Sequence, residues 1–500
     1  MSSVNRYNLA VVLFVALGSY TYGFNSSIIA SVTGLPSFYA FFGLTKSGPN
    51  ASWSTQMIGA MNSIYCAGGL FGCFALGWLA DKIGRRRSIQ VVCVLCLIAT
   101  IITTASTNLA MFLVGRGIQG FSSGMIDTIC PLYQSEIAPA HARGRMVGSH
   151  AFLLVCGYAG ASWVGLGCYF ERNPDVQWRL CMAFQLLAPL LLLIGTPWLP
   201  ESPRFLVYQG RDDEGLSVLK KLHNKASDPT HGIAELEFIQ IKQQVTNDRC
   251  NELSWIGLWK TPATRKRLLM GFFVIAAAQS SGVLVINNYQ IILYEGLGIT
   301  GYKALLLLGV YTSWAAFMNW VNAVLLDRVG RIKLMVAGMS LAAIAVACEA
   351  AMVAEFAGTA NAVGNGFGVL FMFLFITFFA GGMDASCYVY LSEIFPTWMR
   401  AQGVSFSVAG LFTTTLIYTG SASTAFASIG WRYYLVFVFV PLACVVIIWF
   451  WLPETNGLSL EEIGRLFGDD VVLGSDVMAQ LDAESGVENK NISGGIDIAA

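Results

Sequence analysis

Ten stretches of this chain run at or beyond membrane-spanning length without one Lys, Arg, Asp or Glu, and that recurrence constrains the fold more than any motif. They cover residues 7–45, 47–80, 88–115, 146–170, 180–200, 268–294, 304–326, 356–383, 401–431 and 433–453. A helix crossing the ~30 Å hydrocarbon core needs about 20 apolar residues. Two further segments reach that length with charge inside: 111–133 carries Arg116 and Asp127, and 334–354 carries Glu349. Twelve spans follow. Each has to be helical, because hydrocarbon offers no partner to an unpaired backbone amide. Only 12% of the residues are charged, half the ~25% of ordinary domains, which argues against a soluble enzyme. Thirty basic and thirty acidic residues cancel, so a nucleic-acid partner is not expected. The cysteines sit in apolar runs and read as small buried hydrophobes.

Lysine and arginine set the orientation. With both termini cytoplasmic, the inner loops hold ten of these residues and the central loop from Arg204 to Arg267 eleven more, against five at the outer ends. Asn50-Ala51-Ser52 then lies in the longest outer loop as a glycosylation sequon. The tail beyond Phe467 is acidic and rich in small residues, the composition of a disordered segment.

The chain also repeats itself. Tyr133, Ser135, Glu136, Ile137, Pro139 and Arg143 recur as Tyr390, Ser392, Glu393, Ile394, Pro396 and Arg400, always 257 residues on. Asp81 and Arg85 after span 2 correspond to Asp327 and Arg331 after span 8, and Pro200-Glu201 after span 6 to Pro453-Glu454 after span 12. The plan is six spans duplicated: a first half over 1–200, a cytoplasmic linker with short helices over 201–266, a second half over 267–453, and a tail over 454–500. Two pseudo-symmetric halves suit alternating access about a site at the midplane. Asp81, Arg85, Glu136, Arg143, Glu201, Arg204, Asp327, Arg331, Glu393 and Arg400 then gather at the cytoplasmic face, where ion pairs among them form a gate.

At these motifs the sequence resembles the sugar porter family of the major facilitator superfamily, in particular fungal hexose and lactose permeases. Tyr22-Gly23-Phe24-Asn25, Gly115-Arg116-Gly117, Pro200-Glu201-Ser202-Pro203-Arg204 and Pro453-Glu454-Thr455 carry the likeness along nearly the whole chain. It implies a twelve-helix all-α membrane fold, transport of a sugar or sugar-like solute and residence in the plasma membrane. It further implies short cytoplasmic helices in the linker, and the amphipathic run 215–222 fits one on its own periodicity. The sugar ligands of the family are mostly replaced. Of its span 7 signature only Gln279 survives, and Asp384 and Tyr388 stand where span 10 has Gly-Pro and tryptophan. Gln279, Asn287 and Gln290 lie on one face of a continuous helix, with Asn288 beside them. Asn25, Gln279, Asn287, Asn288, Asp384 and Tyr388 are therefore the expected substrate residues.

In proton-coupled relatives an aspartate of span 1 pairs with the span 4 arginine. Here that position is Asn25, which cycles no proton, and this favours facilitated diffusion. Asp127 and Asp384, at matching places in the two halves and some 13 Å from the cytoplasmic end, are with Arg116 the candidates for coupling to protons. The four histidines form no ligand cluster, no phosphate-binding loop follows a strand, and no metal or other cofactor is expected. The reading is a secondary transporter for a sugar-like solute. The alternative is a carrier of another metabolite, such as an organic acid or polyol; a non-transporting nutrient sensor ranks below it.

Overall fold

The computed structural model describes residues 5–45, 48–138, 143–223, 232–250, 257–359, 361–396, 399–458 and 460–468. Among them the regular structure is helical throughout. The twelve spans are α1 (Arg6–Thr33), α2 (Ala51–Ile83), α3 (Arg85–Thr104), α4 (Leu109–Ile137), α5 (Arg143–Tyr169) and α6 (Pro174–Trp198), followed by α7 (Pro262–Gly296), α8 (Tyr302–Val329), α9 (Arg331–Phe356), α10 (Ala362–Ile394), α11 (Arg400–Ile429) and α12 (Val436–Trp451). Phe450, Ile194 and Phe439 are 82%, 67% and 66% exposed. Such side chains belong against lipid, where apolar exposure carries no penalty.

The packing repeats between halves. α1 lies along α5 and α2 along α4, as α7 lies along α11 and α8 along α10. The halves meet where α2 crosses α11 and α5 crosses α8. Small residues let the backbones close up: a Cβ on Gly120 of α4 would stand 1.9 Å from the Tyr65 carbonyl oxygen of α2. No side chain fits there, and helices without a hydrophobic drive between them depend on such contacts.

Helices α7, α10 and α4 are irregular. α7 breaks at Ser281-Gly282, where Gly282 adopts φ +81° and the chain restarts as a second helix from Val283. A Cβ at Gly282 would lie 2.6 Å from the Phe437 ring. α10 contains a π-helical turn over Ala380–Asp384, and α4 carries Pro131 in its interior. The continuous helix expected to carry Gln279, Asn287 and Gln290 is interrupted: the glycine break puts Gln279 on the first segment and the other two on the second.

Helices Pro203–Tyr208, Asp212–His223 and Gly232–Cys250 occupy the linker at the end of the bundle that carries the Arg85 and Arg331 motifs. Val207, Leu219, Ala234, Ile241 and Val245 form their small core, and Asn5 Nδ2 ties the start of α1 to it through the Lys221 carbonyl at 2.9 Å. The side chains of Arg143 and Asp327 and residues 469–500 lie outside the described residues.

Candidate functional site

A small cavity sits between the halves. Tyr22 and Ser26 of α1 and Asn62, Tyr65 and Cys66 of α2 line one side; Leu284 and Asn288 of α7 and Leu411, Phe412 and Thr415 of α11 line the other. The Tyr22 and Phe412 rings close it edge to face, centroids 6.1 Å apart. Asn62 bonds the Tyr289 hydroxyl, while among the described residues Asn288 Oδ1 and Thr415 Oγ1 have no hydrogen-bond partner. Buried polar atoms are rarely left so, because desolvation without a partner costs about 1–3 kcal/mol. Asn62 of the first half and Asn288 and Thr415 of the second thus turn polar side chains on one cavity.

The break in α7 aims this wall. Restarting at Val283 turns Leu284 and Asn288 into the cavity, while Asn287 Nδ2 reaches Ser27 Oγ of α1 at 3.4 Å. Gln279 ends the first segment with Oε1 buried and unpartnered among the described residues. Gln290 Nε2 donates to the Tyr294 hydroxyl at 2.7 Å. Asn25 lies outside the lining: its Nδ2 faces Ser123 Oγ at 3.4 Å, and its carbonyl oxygen accepts from Arg116 Nη1 at 3.2 Å. Arg116 is wholly buried, also bonds Gln119 Oε1 at 2.9 Å, and stacks on the Tyr65 ring 4.3 Å from its centroid. It supports the cavity wall from behind through that tyrosine.

A second polar cluster lies nearer the basic end. Asp127 Oδ1 of α4 is 3.3 Å from His150 Nε2 of α5, both side chains fully buried. His150 Nδ1 is 2.7 Å from Ser19 Oγ of α1. Across the seam, the Tyr388 ring of α10 stands 5.0 Å from the imidazole. Asp384, at the end of the π turn, accepts from Asn319 Nδ2 of α8. Asn322 Nδ2 bonds the Ala380 carbonyl at 3.1 Å and its Oδ1 accepts from Ser386 at 3.0 Å. Asp127, Asp384 and Tyr388 are thus gathered; none of them lines the cavity, and Asp127 and Tyr388 face Tyr22 of its wall.

The basic end repeats one device in each half. Arg85 pairs with Glu136 at 2.9 Å and with Asp81 at 3.3 Å. Glu201 Oε1 accepts from the Arg85 backbone N–H at 2.9 Å, capping α3. Arg331 pairs with Glu393 at 2.8 Å and bonds Asn456, while Glu454 Oε1 caps α9 through the Arg331 N–H at 3.0 Å. Gly84 and Gly330 precede the caps at φ +89° and +101°, and a Cβ on either would meet the capping carboxylate at 2.7 and 2.8 Å. Arg400 is held by the Phe395 carbonyl at 3.1 Å, and Arg204 lies on helix Pro203–Tyr208. These ion pairs run within each half, locking the ends of three helices together.

Sequence reasoning passed over His150, Asn62, Thr415 and the Asn319/Asn322 pair. The last had a signal, two amides three residues apart on one face of an apolar span. Asn62 had a weaker one, a lone amide in an apolar helix. His150 had none, since its partner lies on another helix.

Residues 11–467 match the family model described as Sugar (and other) transporter. The MFS-type transporter criB of Aspergillus cristatus is 32% identical, with 92% of this chain and 93% of that protein covered. The high-affinity glucose transporter ght5 of Schizosaccharomyces pombe is 27% identical over 92% of this chain and 85% of its own. The quinate permease of Neurospora africana is also 27% identical, over 92% of this chain and 89% of its own. Among solved structures, the major facilitator proton:xylose symporter XylE bound to 6-bromo-6-deoxy-D-glucose superposes with a TM-score of 0.79 at 21% identity, covering 92% of this chain and 99% of that one.

Proposed function

Because the chain belongs to the family of sugar and other transporters, we propose that it carries a hexose or similar polyhydroxy solute through the cavity between α1, α2, α7 and α11. It is a multi-pass membrane transport protein of the major facilitator fold and not an enzyme. One observation carries the substrate reading: Asn62 from one half, and Asn288 and Thr415 from the other, turn amide and hydroxyl groups on a common cavity. A polyol satisfies such groups in pairs, and a ligand held by both halves binds best when they close on it. Tyr22 and Phe412 supply the apolar faces against which a sugar ring packs.

The basic end faces the cytoplasm, since basic loop residues are retained on that side, and the plasma membrane is the site of action. Alternating access then rocks the halves across the α2–α11 and α5–α8 seams. The intra-half ion pairs keep each basic end rigid while this happens. Asn25 brings no acid to Arg116, so that pair holds no proton.

The test is uptake of labelled D-glucose into proteoliposomes containing the purified full chain, with unlabelled pentoses, hexoses and polyols as competitors. Saturable uptake that Asn288→Ala weakens at unchanged protein level is the expected result. Competition by none of these sugars, with quinate or another acid transported instead, overturns the substrate reading.

A further inference from the structure

The first helix offers no acid, yet an acid and a base are buried together elsewhere. Asp127 and His150 are wholly enclosed, 3.3 Å apart, and Ser19 on α1 holds the far nitrogen of the ring at 2.7 Å. Three helices of one half thus converge on a single acid–base pair in hydrocarbon. A charged side chain at that depth is costly enough to mark function.

The pair also stands on the seam. Tyr388 packs against the imidazole at 5.0 Å, and Asp384 lies within electrostatic range of Asp127. The other ionisable groups facing Asp127 are Tyr22 of α1, Cys73 of α2, Tyr158 of α5 and Cys387 of α10, with Cys130 on its own helix. On α3, Cys93 and Cys96 face Cys130. The charged residue of α11, Arg400, is bound at its start by Phe395. None of these is a cation aimed at the pair.

We propose that Asp127 and His150 together bind a proton that is carried with the solute. The proposal rests on the transport reading above and supplies the coupling that Asn25 removes from the first helix, in place of facilitated diffusion. When unprotonated, the cluster of Asp127, Asp384 and neutral His150 holds two negative charges; one proton, wherever it resides, leaves one. Closing the seam over two carboxylates in a low dielectric is opposed by their repulsion and by lost hydration. The closed arrangement therefore selects the protonated cluster. The proton enters from the outer solution and leaves to the inner one; only O–H and N–H bonds form and break.

Infrared difference spectroscopy of the purified full chain, titrated without solute, tests the site. A protonated carboxyl or imidazolium band that grows as pH falls is expected, lost in Asp127→Asn, retained in Asp127→Glu and lost or moved in midpoint by about one pH unit or more in His150→Gln. A band indifferent to Asp127→Asn overturns the proposal. So does an unmoved midpoint in His150→Gln, which serves alone if Asp127→Asn does not fold. Pyranine-loaded proteoliposomes then test coupling: a D-glucose gradient should move protons with the natural chain. Glucose flux without proton movement overturns coupling, whereas an intact band without glucose flux overturns only the choice of substrate.

Discussion

Arg116 holds Asn25 by its backbone and not by its side chain: Nη1 donates to the Asn25 carbonyl oxygen at 3.2 Å, while the amide turns to Ser123. The arginine therefore serves as a fixed cationic post behind Tyr65, held without the Asn25 side chain.

Asn25→Ala should accordingly be mild, losing one neutral hydrogen bond of about 1 kcal/mol and changing uptake by about fivefold at most. Arg116→Ala removes the stack on Tyr65 and two hydrogen bonds together, and should cost far more. Uptake kinetics of the two variants at matched protein level check the contrast.

Asn288→Ala and Thr415→Ala each remove a group that, under the proposed function, bonds the solute. Each should raise KM about fivefold, one hydrogen bond's worth, with the thermal midpoint of the solute-free protein unchanged or raised. A fall in stability with unchanged KM would make these groups structural.

Gly282→Ala forces a side chain into φ +81° and against Phe437. The backbone term alone is about 1–3 kcal/mol, so thermal unfolding should come several degrees earlier and surface expression should fall. Gly296→Ala on the same helix, where a Cβ meets nothing within 4 Å, is the control.

Glu201→Ala leaves the first amides of α3 uncapped, and Glu454→Ala does the same for α9. Each should cost about 0.5–2 kcal/mol, read as a lower thermal midpoint. Their effects should add, since the two caps serve different halves.

Asn50 is exposed at the start of α2, away from the basic end. In a eukaryotic host the protein should shift in mobility on endoglycosidase treatment, and Asn50→Gln should abolish the shift. An unshifted natural chain argues against the proposed orientation.

The spans and the duplication were readable because both are local or periodic: charge-free length marks a helix in lipid, and a fixed offset of 257 residues marks a repeat. The charged residues of the basic end were readable because each motif sits at a helix end. The interior was less so. Ser281-Gly282 carries a chain break that no periodicity announces, and that break leaves Gln279 and Asn287 on separate helical segments. Asp127 was found by its cost in hydrocarbon, but its partner His150 depends on the register between α4 and α5. Register is a long-range property of packing that no window of sequence contains.

A rod can only tilt, whereas one sawn through can shut at the top while its foot stays still. With Gly282 as the cut, the outer piece of α7, tied to α1 through Asn287 and Ser27, can fold over its cargo before anything parts at the basic end. Under the proposed function that order would work as an airlock, with both doors closed for an interval in every cycle so that the membrane would not leak ions while the solute passes.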